Sequence, residues 1–180
     1  MRRLLLLFVL FIVSFSAFGA IRTDDNYRYA KRGYFGSANV SYILWDDFDS
    51  SVGIGAEVIN GYSFNKWFML GAGLGANLIL YKDYENKRVV EAAIPIFVHT
   101  RFNILDRKVT PFFALNVGGG IIVDNYNSGV CSSLYLDPKL GVAVRLNNGG
   151  MIDFGVSRLI SGGVWYGSFN GIKVGVSYTW

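Results

Sequence analysis

The feature that most constrains this chain is a two-residue alternation of apolar with small or polar side chains, which runs through almost all of the sequence after residue 33. Successive side chains on a β-strand point to opposite faces, so the alternation marks strands with two unlike faces. A first strand sets Tyr34, Gly36, Ala38, Val40, Tyr42 and Leu44 against Phe35, Ser37, Asn39 and Ser41. A second sets Val52, Ile54, Ala56, Val58, Tyr62 and Phe64, interrupted by Asn60, against Gly53, Gly55, Glu57, Gly61 and Ser63. A third opposes the even positions 68–80 to Gly71, Gly73, Gly75, Asn77 and Tyr81. In the fourth, Val90, Ala92, Ile94, Ile96, Val98, Phe102 and Ile104 alternate with Glu91, Ala93, Pro95, Phe97, His99, Arg101 and Asn103. The fifth places Phe113, Leu115, Val117, Ile121 and Val123 opposite Phe112, Ala114, Asn116, Gly118 and Gly120. The sixth sets the even positions 134–146 against Ser133, Tyr135, Asp137, Lys139, Ala143 and Arg145. The seventh sets Ile152, Phe154 and Val156 against Asp153, Gly155 and Ser157, and the eighth sets Ile172, Val174, Val176, Tyr178 and Trp180 against Lys173, Gly175, Ser177 and Thr179.

The connections alternate in length. Asn65-Lys66-Trp67, Asp106-Arg107 and Asn148-Gly149-Gly150 read as tight hairpin turns, whereas 45–51, 82–88, 124–132 and 161–170 are longer and polar. Short turns at one end and long loops at the other predict an all-β fold, an eight-stranded antiparallel up-and-down transmembrane β-barrel. With 22 Gly and only 3 Pro, the composition suits strands that crowd one face.

A soluble barrel also alternates, with its apolar face inward. Two features argue for the reverse. An eight-stranded barrel has room inside only for modest side chains, and the Gly-, Ser- and Ala-rich face fits that space better than the Leu-, Ile-, Val- and Phe-rich one. Further, Glu57, Glu91, Arg101, Asp137, Lys139, Arg145, Asp153 and Lys173 all share the polar parity, acids and bases in equal number, as a closed lumen requires. Arg158 alone has the lipid-facing parity, near the outer end of its strand, where it can snorkel.

The first residues are not part of this pattern. Arg2 and Arg3, an apolar run over 4–13 and the small residues around Ala17-Phe18-Gly19 have the build of a secretory signal peptide cleaved before Ala20. The run is too short for a membrane anchor, which needs about 20 apolar residues. The expected organisation is therefore a signal peptide at 1–19 and a barrel domain at 20–180, with 20–32 a periplasmic lead-in. Loss of Arg2 and Arg3 leaves 15 Lys+Arg against 13 Asp+Glu, which gives no reason to expect a nucleic-acid partner. The single cysteine, Cys131, has no internal disulfide partner and no neighbouring base, so it reads as a spare thiol.

Counted back from the end, Trp180, Tyr178, Val176, Val174 and Ile172 stand at alternate positions. This resembles the C-terminal recognition signal of bacterial outer-membrane barrels, with Trp in place of the commoner Phe. Over 20–180 the chain is similar to the small outer-membrane β-barrel proteins, the OmpA/OmpX-type group. The resemblance implies location in the outer membrane, contact with its lipids and lipopolysaccharide, and passage through periplasmic chaperones and the barrel-assembly machinery that reads this strand. Trp180 would sit in the periplasmic aromatic girdle with Tyr62, Phe64, Trp67, Phe68 and Phe102.

Reactive groups are sparse. His99 is the only histidine; it has lumen parity, and position 101 holds Arg. Some outer-membrane barrels are lipid A-modifying hydrolases with a His, a Ser and an acid, but those sites face lipid, so His99 reads as a hydrogen-bonded lumen residue. Asp46-Asp47-Phe48-Asp49 reads as a solvated loop rather than a cation site, and the glycine runs at 71–75 and 118–120 lie within strands, unlike phosphate loops. No cofactor is expected. The favoured reading is a monomeric, non-enzymatic barrel that serves membrane integrity or surface binding through loops carrying Trp45, Phe48, Tyr84, Tyr126, Trp165 and Tyr166. The alternatives are a narrow conduit for a small or apolar solute and a lipid A-modifying enzyme.

The lumen reading is specific. A three-residue loop at 148–150 would place Arg145 directly opposite Asp153, with Arg101 at similar depth. Glu57, Glu91, Asp137 and Lys139 would lie higher, with Lys173 between, and the long cations would meet the acids and close the barrel.

Overall fold

The computed structural model describes residues 32–45, 51–82, 88–124, 129–147, 149–163 and 168–180. The expected leader at 1–19, the expected lead-in as far as residue 31, Asp46-Asp47-Phe48-Asp49 and the aromatics Tyr84, Tyr126, Trp165 and Tyr166 lie outside the described residues, as do the side chains of Trp45 and Cys131. The alternating segments form β1 (Gly33–Trp45), β2 (Val52–Ser63), β3 (Phe68–Lys82), β4 (Arg88–Asn103), β5 (Val109–Asp124), β6 (Gly129–Arg145), β7 (Met151–Gly163) and β8 (Ser168–Thr179). Each pairs antiparallel with the next, and β8 pairs with β1, closing an eight-stranded barrel without free edges.

Outward side chains are the even-numbered ones on β1–β4 and β6–β8 and the odd-numbered ones on β5. The switch follows from the β4–β5 register, in which Phe102 pairs Phe113 and Asn103 pairs Phe112. The outer face is a continuous apolar surface. It includes Val40, Ile54, Leu74, Ile96, Leu134 and Leu140, all more than half exposed. At the turn end Tyr34, Tyr62, Phe64, Phe68 and Phe102 make a continuous line of ring contacts, with successive centroids 5.4, 5.3, 5.6 and 4.9 Å apart. Trp180 lies outward beside them, its indole covering Gly36, and the two residues exchange backbone hydrogen bonds across the seam.

The interior is less exclusively polar than the charge pattern implies. Phe35, Ile43, Ile59, Met69, Phe97, Tyr135, Met151 and Leu159 form a buried cluster, and Phe112 packs with Ala114 and Ala143. Inward glycines make room for these rings. A Cβ on Gly73 would run into the Phe97 ring, and one on Gly61 or Gly141 would meet Phe35 or Phe112 at 2.8 or 2.7 Å.

The turn registers differ from the sequence expectation. The β6–β7 register pairs Arg145 with Met151 and Ala143 with Asp153, not Arg145 with Asp153. The turn is set by Gly149, whose φ is 89°. In a three-residue hairpin loop the left-handed position is the last of the three, so the loop is 147–149, closed by Leu146 N–H donating to Gly150 O at 2.7 Å. Centring the loop on Gly149 itself puts the glycine in the wrong position and slips the register by two; the parity survives the slip. The β4–β5 connection spans 104–108 rather than Asp106-Arg107 alone, because Leu105 N–H bonds the Thr110 hydroxyl at 3.0 Å instead of the ladder. At 65–67, Asn65 Oδ1 accepts from Trp67 N–H at 2.8 Å and Phe68 N–H at 2.9 Å, a side-chain cap on a turn of the expected size.

Candidate functional site in the barrel lumen

The inward parity brings the sequence-marked charges into one buried column. Glu57, Glu91, His99, Arg101, Asp137, Arg145, Asp153 and Lys173 are all buried, and Lys139 is half-buried. Such charges persist only when paired, because desolvation costs several kcal/mol per ion. The partners sort them into three tiers.

Nearest the turns, Arg145 at the end of β6 donates through Nη1 to Asp106 Oδ1 at 2.9 Å and through Nη2 to the Lys66 carbonyl at 3.4 Å. Lys66 Nζ reaches the other Asp106 oxygen at 2.9 Å. Asp106 therefore ties the β4–β5 connection to the β2–β3 turn beneath the lumen. The Lys66 ammonium, and after it the Arg145 guanidinium, hold its carboxyl below the usual carboxylate range.

In the next tier, Arg101 on β4 clamps Asp153 on β7 with two parallel bonds, Nη1–Oδ2 at 2.7 Å and Nη2–Oδ1 at 2.8 Å. Arg101 Nε donates to Asn103 Oδ1 at 3.0 Å, and the guanidinium lies 4.1 Å from the Phe112 ring centroid. The Ser177 hydroxyl donates to Asp153 Oδ2 at 3.2 Å. Asp153 thus pairs with Arg101, and Arg145 with Asp106; the two-residue register shift separates the expected Arg145–Asp153 pair.

Midway up the barrel, Lys173 on β8 donates to Glu57 on β2 and, at 3.2 Å, to Asp137 Oδ2 on β6. The Tyr135 hydroxyl lies 3.0 Å from Glu57 Oε1 and 3.1 Å from Asp137 Oδ2. Strands β2 and β6 are four apart in an eight-stranded ring, so this contact crosses the full lumen. Asn39 Nδ2 donates to Glu57 Oε2 at 3.0 Å, and Asn116 Nδ2 to Asp137 Oδ2 at 3.4 Å. His99 Nδ1 lies 2.6 Å from Asn116 Oδ1, which fixes the ring as a member of this network. Tyr135 was visible in the sequence only as one inward residue of an alternating strand; that it crosses to Glu57 depends on barrel closure.

Lys139 departs from the expectation that every long cation meets an acid. Among the described residues it makes no ion pair, and its Nζ lies 6.0 Å from the Phe112 centroid. Arg101 already occupies both oxygens of Asp153, which lines the same cavity as Lys139. Lys139 lines a cavity of about 20 Å³ together with His99, Asn116 and Phe112, and a second cavity of about 10 Å³ lies above, beside Asn77, Glu91 and Leu159. A single water needs roughly 10–15 Å³ and a small-molecule site several hundred, so these spaces are water-sized. The described residues contain no cluster of three or more metal-ligating side chains.

On β8, Ile172, Val174, Val176 and Tyr178 face outward, as does Trp180 just beyond it, and Tyr178 and Trp180 stack with centroids 6.0 Å apart. No protein-family model and no curated protein matches the sequence. Solved structures match the fold. Neisserial surface protein A is similar over 82% of this chain and 96% of its own, at 14% identity and a TM-score of 0.61. The N-terminal β-barrel domain of Pseudomonas aeruginosa OprF is similar over 83% of this chain and 100% of its own, at 10% identity and a TM-score of 0.51. These likenesses establish the fold, the closed eight-stranded barrel of the small outer-membrane β-barrel proteins that the sequence resembles.

Proposed function

We propose that this chain spans the bacterial outer membrane as a plugged, non-conducting and non-enzymatic barrel, exported by its leader. Its role is in membrane integrity or in surface binding through the long connections. The observation that carries this is the bonding across the lumen. Tyr135 and Lys173 join the opposite walls at Glu57 and Asp137, and Arg101 joins β4 to β7 at Asp153. A path for solutes would have to break both tiers, and the bonds are charge-assisted and buried. The apolar outer face and the ring line at the turn end support insertion in a bilayer. The outward row ending at Trp180 supports handling by the assembly machinery, and lipopolysaccharide and phospholipid are the surrounding partners. His99 supports no hydrolytic role, because it is turned to Asn116 inside the barrel while a lipid substrate would lie outside.

Planar-bilayer recording of the refolded protein tests the proposal. The expected result is no steady channel from the wild-type protein, with conductance appearing when Lys173→Met and Arg101→Met are combined. Steady single-channel conductance from the wild-type barrel would overturn it.

A further inference from the structure

The two ends of the barrel differ in charge. At the turn end the described charged residues are Arg32, Lys66, Arg107 and Lys108 on the rim against one acidic side chain, Asp106. That acid is consumed: both its oxygens are bonded, to Lys66 and to the buried Arg145, each at 2.9 Å. Among the described residues the rim therefore presents net positive charge, four cations against one bonded carboxylate. In the sequence, the acid-rich stretch Asp46-Asp47-Phe48-Asp49 belongs to a connection at the opposite end.

The cations also stand at a defined level. Lys66 lies in the β2–β3 turn and Arg107 in the β4–β5 connection, directly beyond the outward rings of Phe64, Phe68 and Phe102. Lys66 Nζ sits 5.1 Å from the centroid of Trp67, which is itself outward and exposed. Aromatic rings of this kind settle at the boundary between acyl chains and headgroups, so cations one step further out meet the phosphate layer. An arginine there matches a phosphate oxygen pair in shape as well as charge.

We infer that the turn end of the barrel is a docking surface for the anionic phospholipid headgroups of the leaflet on that side, with Arg107 and Lys66 as the main contacts. The inference rests on the membrane-spanning reading and adds a lipid class and a location to it. Each cation near an anionic surface contributes roughly a fivefold preference for acidic lipid, and salt screens the effect.

The test folds the protein into vesicles of equal phosphatidylglycerol and phosphatidylcholine, releases it in mild detergent and counts the retained lipids by native mass spectrometry. Wild type should retain phosphatidylglycerol in excess. Arg107→Gln should cut that excess roughly fivefold and Arg107→Lys should keep most of it; 0.5 M salt during release should shrink it, since the screening length is then only about 4 Å. Arg107 is exposed in a turn, so its variants keep the fold; Arg107→Gln with Lys66→Gln should abolish the excess. Equal retention of both lipids by the wild-type protein, or an excess unchanged in the double variant, would overturn the inference. Insertion is read separately, from heat-modifiable gel mobility in phosphatidylcholine vesicles alone. Failure there overturns the membrane-spanning reading and this inference with it, whereas insertion with equal retention overturns this inference only.

Discussion

Replacing Asp153 with asparagine removes the charge that Arg101 is folded against and leaves the Arg101 side chain, 4% exposed, without this ion partner. The asparagine can keep one acceptor bond, and with it the Ser177 hydroxyl, but one of the two charge-assisted bonds at 2.7 and 2.8 Å is lost. The magnitude turns on burial. An exposed pair would cost about 0.2–1 kcal/mol to break, but a buried pair deprived of one partner costs about 3–5 kcal/mol because the other ion stays desolvated. With Asp153 only 1% exposed, the larger figure applies. Reversible urea unfolding in lipid vesicles, followed by tryptophan fluorescence and gel mobility, measures it. The decisive comparison is with Arg101→Met combined with Asp153→Asn, which removes the ion pair yet keeps an apolar stem against Phe112. That double variant should recover most of the loss. A cost below about 1 kcal/mol for Asp153→Asn, or a double variant no more stable than the single one, would refute the view that the pair is a dry clamp.

Other perturbations follow the same geometry. Gly73→Ala places a methyl against the Phe97 ring and within 3.1 Å of Ile59, and should cost about 1–3 kcal/mol in the same unfolding assay, with Phe97→Leu restoring much of it. Gly149→Ala forces an L side chain to a φ of 89° and should cost about 1 kcal/mol, with Gly149→Asn milder. Asp106 has a depressed carboxyl in the folded barrel, so its pairing stabilises fully above the ordinary value of 3.8 and is lost as pH falls below it. Asp106→Asn should therefore lower the urea midpoint slightly at pH 7 and flatten its fall in acid. An identical acid slope in variant and wild type would count against the Asp106 tie.

The faces were legible in the sequence because parity is a local property. Glu57, His99 and Lys173 are inward for the same reason that their neighbours are outward, and no long-range information is needed. Register is different. It depends on which loop residue adopts positive φ, and Asn148-Gly149-Gly150 offers two glycines. With the positive φ at Gly149, Arg145 pairs with Met151, whereas with it at Gly150, Arg145 would pair with Asp153 and every face would stay intact. Contacts across the lumen, such as Tyr135 to Glu57, come one step later still, since they join residues 78 apart through barrel closure.

Lys139 and Lys173 make this limit measurable. In the sequence the two are alike in parity, each an inward lysine on an alternating strand. In the folded barrel Lys173 bonds Glu57 and Asp137, whereas Lys139 bonds neither and faces the Phe112 ring from 6.0 Å. Lys173→Met removes the shared cation between two buried carboxylates and should destabilise by about 3–5 kcal/mol, with like-charge repulsion added to desolvation. Lys139→Met removes a cation that carries its own desolvation cost without a close partner, and gives Phe112 an apolar neighbour. Its effect should lie within about 1 kcal/mol of zero. Unfolding midpoints of the two single variants decide the matter. Equal losses would mean that the lumen responds to its total charge rather than to particular bonds, and the tiered description would fall. A loss confined to Lys173→Met would mean that closure rests on the few residues whose atoms meet across the barrel.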